Sequence, residues 1–285
     1  MRKIIFSLIV ILLLTAVSPL LFAAERVVSL SPNLTEIIYN LGRGEVLVGR
    51  SSACDYPPEV KKLPVAGDYG RVFAEPLLAL KPTLVVTEKT WNDSIAQNLR
   101  KFNIRHLVFS NDTLEDYLTA TAELGKELKA DARATEIICQ TRNELKWLEA
   151  ETKGIPEEKR PRVLVVIGET PVFTAGRKSF INDMIELAGG RNIAASQNQR
   201  YFACSLEWVI EQQPEILIMP GASPEKVRAF TSRAAIKDLP AVKNNRILTD
   251  IDEAALYRLG PRTLDGIRVL KQYFSGKSSA GRTQK

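Results

Sequence analysis

Short apolar runs alternate along the chain with segments whose apolar residues recur at helical spacing. In the first third, the predicted strands are 26–30, 46–50, 84–87 and 106–109, and the predicted helices are 34–41, 76–80 and 94–102. The apolar runs have the length of strands in globular proteins, and helical segments separate them. This order favours a largely parallel sheet covered by helices.

The middle of the chain lacks strand-like runs and predicts two consecutive helices. Residues 113–129 and 132–153 contain no proline and only one glycine, Gly125, and their apolar residues fall at helical spacing. A second helix of about 22 residues would be about 33 Å long, which is roughly the width of a small domain. Gly154 and Pro156 end it.

Alternation resumes after residue 162, so the sequence predicts an α/β fold with two lobes. The later predicted strands are 163–167, 172–175, 216–219 and 246–251, and the later helices are 180–187, 206–213, 224–231 and 261–274. The predicted organisation is a signal peptide at 1–24, an N-terminal lobe at 25–112, a helical connector at 113–155, a C-terminal lobe at 156–275 and a disordered tail at 276–285. Ligands of two-lobed α/β proteins commonly bind between the lobes, at loops that follow strands.

The first 24 residues have the pattern of a secretory signal peptide. Two cations precede an apolar run over 4–17, and small residues close the segment. We expect cleavage near Ala23 or Ala24, and no lipid attachment, because no cysteine follows the apolar run. A membrane anchor is the alternative, since residues 20–22 extend the apolar stretch towards the ~20 residues that span a bilayer.

Rare residue types exclude several kinds of site. His106 is the single histidine, which excludes a site built from several imidazoles, and its place at the start of an apolar strand predicts a structural role. The three cysteines lie far apart without a C-x-x-C pair, which excludes an iron–sulfur cluster or a zinc ribbon. We expect Cys139 to be a buried thiol, and Cys54 and Cys204 to lie in loops, paired or reduced.

The folded body carries little net charge. The formal charge of the chain is +6, and the two cations of the leader and the three of the tail account for all but about +1 of it. Such a body offers no electrostatic footprint for nucleic acid.

The two halves share a short pattern that places one carboxylate in each. Glu75 opens E-P-L-L-A-L-K-P-T-L-V-V, and Glu207 opens E-W-V-I-E-Q-Q-P-E-I-L-I. In both, the glutamate begins a short helix, a proline follows seven residues later, and a buried strand comes next. The helix dipole alone explains a glutamate in a first turn. Its repetition suggests a pair of carboxylates that accept arginines of a symmetric partner.

Five motifs lie in a characteristic order along the chain. They are R-V-V-S-L-S-P-N-L-T-E at 26–36, C-D-Y-P-P-E at 54–59, L-A-L-K-P at 78–82, F-T-A-G at 173–176 and L-A-G-G-R-N-I at 187–193. Over nearly all of the mature chain, this order resembles the periplasmic substrate-binding proteins of ABC importers for cobalamin, ferric siderophores and haem, and most closely the cobalamin receptors.

The resemblance implies a class III periplasmic-binding fold, with two Rossmann-like lobes joined by a single long interdomain helix. It implies a monomer that hands its ligand to a permease–ATPase complex of the inner membrane, with Glu75 and Glu207 docking onto permease arginines. The bound molecule would be transported cargo, so neither a cofactor nor a resident metal is expected.

The resemblance also implies a cleft lined by aromatic side chains that pack on a large metal–macrocycle. Its leading ligand contacts would be Tyr69, Phe173 and Tyr201. Weaker candidates, in loops expected to reach the cleft, are Trp91, Phe202, Tyr257 and Arg258. Any one of these aromatic residues can instead fill the core of a lobe, above all Trp91 and Phe202.

The sequence departs from the cobalamin receptors at two cleft positions, which leaves the ligand open. Ala53 and Glu88 stand where those receptors often carry aromatic residues. An anionic siderophore would need basic residues, which are available at Arg71, Arg177 and Arg258. Haem would need an axial tyrosine, and the candidates are Tyr69 and Tyr257.

Two other classes of function are weaker alternatives. An exported enzyme is disfavoured because the chain has no G-x-S-x-G motif, and Gly176-Arg177-Lys178-Ser179 lacks the glycine spacing of a phosphate loop. An adaptor with a degenerate cleft would need a filled pocket, which the aromatic loop residues argue against. The sequence therefore predicts ligand capture without catalysis.

Overall fold

The computed structural model describes residues 25–89 and 94–276, which form two α/β lobes joined by two consecutive helices. The predicted signal peptide and residues 277–285 lie outside these ranges. In the described part of the chain, no helix is both long enough and apolar enough to cross a membrane.

The N-terminal lobe is built on a six-stranded sheet. Its strands are β1 (Val27–Ser29), β2 (Leu47–Ser51), β3 (Val65–Asp68), β4 (Arg71–Val72), β5 (Leu84–Glu88) and β6 (His106–Phe109), in the order β4-β3-β2-β1-β5-β6. All neighbours are parallel except β3 and β4. Its helices are α1 (Pro32–Asn40), α2 (Ala74–Ala79) and α3 (Ser94–Lys101). The central strands β1 and β5 are buried along their whole length, so each begins in the sequence with consecutive apolar residues, and their last residues are polar.

Two helices connect the lobes, as the sequence predicts: α4 (Leu114–Glu127) and α5 (Asp131–Lys153). A capping box begins α4, because the Thr113 hydroxyl accepts from the Asp116 N–H and the Asp116 carboxylate accepts from the Thr113 N–H. Helix α5 has 23 residues, or about 35 Å. Its buried residues form one stripe, consisting of Ala134, Ile137, Thr141, Leu148 and Thr152.

The C-terminal lobe contains two smaller sheets. Its strands are β7 (Arg162–Val165), β8 (Gly168–Glu169), β9 (Val172–Ala175), β10 (Arg191–Asn192), β11 (Tyr201–Cys204), β12 (Ile216–Ile218) and β13 (Ile247–Leu248). One sheet is parallel, in the order β10-β7-β12-β13, and the other is antiparallel, in the order β11-β9-β8. The helices are α6 (Phe180–Leu187), α7 (Leu206–Gln212), α8 (Pro224–Thr231), α9 (Pro240–Lys243), α10 (Glu253–Tyr257) and α11 (Thr263–Phe274).

The repeated sequence pattern gives the same local structure in both lobes. Glu75 is the second residue of α2 and Glu207 is the second residue of α7. Six residues after each glutamate, Lys81 and Gln213 adopt a left-handed conformation with φ of 47°. Each is followed by a proline and then by a buried strand, β5 or β12. The repeat therefore reflects one helix–turn–strand unit used twice.

Two predictions about the cysteines are wrong. Cys139 is exposed, because it lies on the side of α5 turned away from the stripe that contains Ile137 and Thr141. Cys204 is not in a loop but ends β11, and the sequence hides this strand because its residues are only partly buried on both faces. All three cysteines are free thiols, and buried Cys54 hydrogen-bonds with Thr35 rather than with another cysteine.

We expect Leu148→Ala to lower the free energy of unfolding by about 2–5 kcal/mol, because the Leu148 side chain of α5 is fully buried in the hydrophobic core. The neighbouring Trp147 is larger but 53% exposed, and its ring contacts Lys271 at 4.5 Å. Trp147→Ala should therefore cost no more than about 1 kcal/mol. Urea unfolding followed by circular dichroism measures the free energy of unfolding of both variants. Equal losses of stability would contradict the burial of Leu148 and the exposure of Trp147.

Candidate functional site

Two aromatic side chains of the C-terminal lobe form a flat apolar surface. Strands β9 and β11 pair with Ala203 opposite Phe173, which puts Phe173 and Tyr201 diagonally on the same face. Their ring centroids are 6.5 Å apart and their planes differ by 23°. We call Phe173 and Tyr201 the aromatic platform.

A polar cluster lies at the ends of strands in the N-terminal lobe. Glu88, the last residue of β5, is only 6% exposed. Its Oε2 accepts hydrogen bonds from the Tyr69 hydroxyl at 3.3 Å and from Asn111 Nδ2 at 2.6 Å. Tyr69 lies in the turn between β3 and β4 and exposes 55% of its surface, although its hydroxyl points to Glu88.

This cluster continues into the C-terminal lobe through Arg200. Arg200 Nη2 donates to Asn111 Oδ1 at 2.8 Å, and the guanidinium also forms an ion pair with Asp112. The guanidinium carbon is 5.9 Å from the centroid of the Tyr201 ring. A chain of polar groups from Glu88 to Arg200 thus crosses between the lobes and ends at the aromatic platform.

Burial controls the protonation of this cluster. Desolvation raises the pKa of Glu88 to about 7, although the Tyr69 hydrogen bond and the charges of Arg200 and Arg258 oppose the shift. Burial, together with the nearby Glu88 carboxyl, raises the pKa of Tyr69 to about 12. Burial likewise raises the pKa of Tyr201 to about 12. Near neutral pH, both tyrosines therefore remain hydrogen-bond donors, while Glu88 changes its charge.

The weaker candidates lie in different places. Phe202 faces away from the platform, and its ring meets Trp208 edge-on at a centroid distance of 5.9 Å. Tyr257 is partly buried against the core, and burial raises the pKa of its hydroxyl. Arg258 Nη1 is 2.5 Å from Asp55 Oδ1, so this arginine is held by the N-terminal lobe. Trp91 falls outside the described residues.

The basic residues considered for an anionic ligand do not converge. Arg177 lines an open pocket of about 780 Å³ on the C-terminal lobe, together with Arg160, Arg162 and Arg191. Arg71 is exposed, with its guanidinium 5.6 Å from the centroid of the Phe73 ring. Arg258 is held by Asp55 in the N-terminal lobe, as described above.

The two repeated glutamates are both exposed and stand at the same position of equivalent helices. At α7, the Ser205 hydroxyl caps the helix, and the backbone and Ser205 hydrogen bonds lower the pKa of Glu207. Carboxylates placed in this way are available to basic groups of another molecule.

Sequence reasoning missed Asn111 and Arg200, which link the two lobes. Asn111 closely follows β6 and Arg200 directly precedes β11. A polar residue beside the end of a strand is the sequence feature that could have indicated a place in the site. In the sequence, Glu88 stands out only because cobalamin receptors often carry an aromatic residue at this position. In the ranges the structure describes, no group of three or more His, Cys, Asp or Glu side chains is placed to hold a metal ion.

Comparison with known proteins gives a consistent family. The sequence profile of the family described as periplasmic binding protein matches residues 27–254. The chain is 29% identical to the vitamin B12-binding protein of Vibrio parahaemolyticus over 88% of this chain and 89% of that protein.

Solved structures agree with this match. The apo periplasmic heme-binding protein RhuT from Roseiflexus sp. RS-1 is 29% identical, with a TM-score of 0.78, over 89% of this chain and 99% of that one. The periplasmic vitamin B12-binding protein BtuF of Vibrio cholerae is 26% identical, with a TM-score of 0.76, over 88% of this chain and 97% of that one. The predicted class III fold is thereby confirmed.

We expect Glu88 to make the protein less stable as the pH rises from about 4.5 to about 7. Across this window the folded state keeps a proton that the unfolded chain releases, so the free energy of unfolding falls with rising pH and levels off above it. At about 1.4 kcal/mol for each unit of displaced pKa, the contribution is a few kcal/mol.

Glu88→Gln keeps the side-chain shape and should remove this pH dependence, as measured by urea unfolding at about pH 4 and about pH 8. The exposed Glu59→Gln serves as the matched control. An undiminished pH slope in Glu88→Gln would exclude Glu88 as its source.

Proposed function

Because the chain belongs to the periplasmic binding protein family, we propose that it captures cobalamin between its lobes for import. Members of this family are the substrate-binding components of ABC importers, and they work with permease and ATPase subunits. The observation that carries the proposal is the aromatic platform, joined to a polar chain from Arg200 to Glu88 across the lobes. Cobalamin is then cargo and not a cofactor.

The chemistry of the cleft suits a large, uncharged ring system with amide side chains. The aromatic platform offers apolar area at low entropic cost. The hydroxyl of Tyr201 remains protonated near neutral pH and can donate to an amide oxygen, whereas the single hydroxyl hydrogen of Tyr69 is donated to Glu88. Asn111 and Arg200 add further donors at the boundary of the lobes.

Haem is the second candidate, since RhuT is named a heme-binding protein. A tyrosine that ligates haem iron does so as the deprotonated oxygen. Burial and the nearby Glu88 raise the pKa of Tyr69 to about 12, and burial also raises the pKa of Tyr257. Ligation of haem iron by Tyr69 would also have to break its hydrogen bond to Glu88, and for this reason we prefer cobalamin over haem.

An anionic siderophore fits less well. Arg258 is paired with Asp55, Arg177 lines an open pocket on one lobe, and Arg200 is already paired with Asp112. A multiply charged chelate needs several uncompensated cations on one surface. The described arrangement favours a neutral ligand.

We propose that the protein is exported and acts as a receptor outside the inner membrane. Residues 1–24 act as a signal peptide cleaved near Ala23 or Ala24, and no cysteine follows for lipid attachment. The mature chain binds its ligand as a monomer, without catalysis, and its small net charge gives nucleic acid no binding surface. The exposed Glu75 and Glu207 then dock onto arginines of the permease, one from each lobe.

The proposal predicts tight one-to-one binding of cyanocobalamin to mature residues 25–285 in titration calorimetry. Phe173→Ala should weaken that binding by about 1–3 kcal/mol, because it removes half of the aromatic platform. Phe202→Ala is the matched control, since the same side chain is removed from the opposite face of the paired strand.

Hemin and a panel of ferric siderophores are titrated in parallel. Binding of hemin or a siderophore alone would reassign the cleft but keep the transport role. Equal weakening by Phe173→Ala and Phe202→Ala would remove the platform from the site. If neither cyanocobalamin, hemin nor any siderophore binds, the result would favour an adaptor with a degenerate cleft.

For docking, we expect the double variant Glu75→Ala/Glu207→Ala to lose ligand uptake while its calorimetric affinity for cyanocobalamin stays unchanged. Uptake is measured in proteoliposomes that contain the permease–ATPase complex of the same bacterium. Glu225→Ala is the control, because Glu225 is also an exposed glutamate at the second position of a serine-capped helix. Full uptake by the double variant would end the docking proposal.

A further inference from the structure

A group of charged residues joins the lobes at a place that the proposed ligand contacts do not use. Glu36 of α1 and Asp55, after β2, belong to the N-terminal lobe, whereas Arg258 and Arg262 flank the turn between α10 and α11. Arg262 Nη2 and Nε donate to the two Glu36 oxygens at 2.6 and 2.9 Å. We call these four residues the interlobe clamp.

Glu36 is the centre of the interlobe clamp. Its residue is only 5% exposed, and Arg258 Nη1 approaches its Oε1 at 3.5 Å in addition to Arg262. A buried carboxylate is costly unless it is paired and hydrogen-bonded, and here both partners come from the other lobe. Separation of the lobes at this point would break the contacts of Glu36 with both arginines.

The arginines are themselves held in place. Arg258 bonds Asp55 through both terminal nitrogens, at 2.5 and 3.3 Å, and lowers the pKa of that carboxyl. Arg262 donates to Asp252 at 2.7 Å, and its guanidinium lies 4.4 Å from the centroid of the Tyr56 ring. Planar guanidinium groups fixed on several sides lose little further freedom in bonding a carboxylate.

A neutral contact lies beside the charges. Asn33 Nδ2 donates to the Leu259 carbonyl oxygen at 3.2 Å, and both residues are buried. The interlobe clamp thus belongs to a packed interface and not to an isolated surface pair.

We propose that Glu36, Asp55, Arg258 and Arg262 are positioning residues that fix the spacing of the two lobes. The connector helices α4 and α5 join the lobes through the chain, and the interlobe clamp supplies a separate attachment that restrains rocking about them. Arg258 therefore acts through lobe spacing rather than as a ligand contact. The consequence for ligand binding rests on the proposed function, because the aromatic platform and Glu88 belong to different lobes.

The test measures the distance between the lobes directly, by pulsed electron resonance on nitroxide labels at Lys61→Cys and Lys226→Cys. Both sites are exposed, and they lie in different lobes. The background carries Cys139→Ser and Cys204→Ser, because Cys139 is exposed and Cys204 is partly exposed. The full mature chain is used without ligand and with cyanocobalamin.

Glu36→Gln should broaden the interlobe distance distribution of the unliganded protein. Asp55→Asn, at a partly exposed position that the fold tolerates more easily, should broaden it less. Arg228→Met is the matched control, because it breaks an exposed arginine–glutamate pair within α8 and should leave the distribution unchanged. A wild-type distribution in both Glu36→Gln and Asp55→Asn would overturn the proposal.

Dissociation rates of cyanocobalamin, measured by stopped-flow displacement, separate this inference from the proposed function. Faster dissociation from Glu36→Gln than from the wild-type chain is the expected result, and an unchanged rate despite a broadened distribution would overturn the link from spacing to binding. If the wild-type chain does not bind cyanocobalamin, the proposed function fails, while the distance distributions still decide the role of the interlobe clamp.

Discussion

Parallel strand pairing is the constraint on which the rest of the site depends. In the N-terminal lobe, β1, β2, β5 and β6 run in one direction, so the residues that follow them emerge at the same edge of the sheet. Ser31 after β1 ties these ends together, because its hydroxyl accepts from the Glu88 N–H at 2.9 Å. Glu88, Asn111, Asp55 and the segment that leads to Glu36 all leave from this edge. The buried strands thereby bring sequence-distant polar groups to the boundary with the other lobe.

Two buried carboxyl groups at this edge are stabilised in opposite ways. Glu36 receives two arginines from the C-terminal lobe, so its charge is compensated where it is buried. Glu88 has amide and phenol partners and more distant arginines, and its pKa rises to about 7 because burial outweighs them. The first arrangement suits a fixed attachment between lobes. The second leaves a group at the boundary of the lobes that can donate or accept a hydrogen bond, beside the place where we propose that the ligand binds.

The sequence predicts the helices and strands that are long or buried. It does not predict short, partly exposed strands or the register in which strands pair. The apolar residues that begin β1 and β5 are plain in the sequence because both faces of these strands are buried, and the 23-residue α5 is plain because burial along one stripe gives its apolar residues helical spacing. Strand β11 shows no such pattern, since its side chains are partly exposed on both faces. Tyr201 and Phe202 point to opposite faces of β11, and only the register with β9 shows that Tyr201 is the one on the same face as Phe173. The aromatic content of the cleft was thus readable from the sequence, whereas its geometry and its partner Arg200 were not.

The repeated unit places one exposed carboxylate at an equivalent position in each lobe. In both lobes, a short helix presents a glutamate at its second position, and a left-handed residue and a proline then turn the chain into a buried strand. The glutamates therefore stand at the beginnings of the helices that lead into β5 and β12, while Glu88 lies at the other end of β5. The residues proposed for docking, Glu75 and Glu207, are therefore different from those proposed for the ligand, so a substitution on the aromatic platform can alter ligand choice without removing either docking carboxylate.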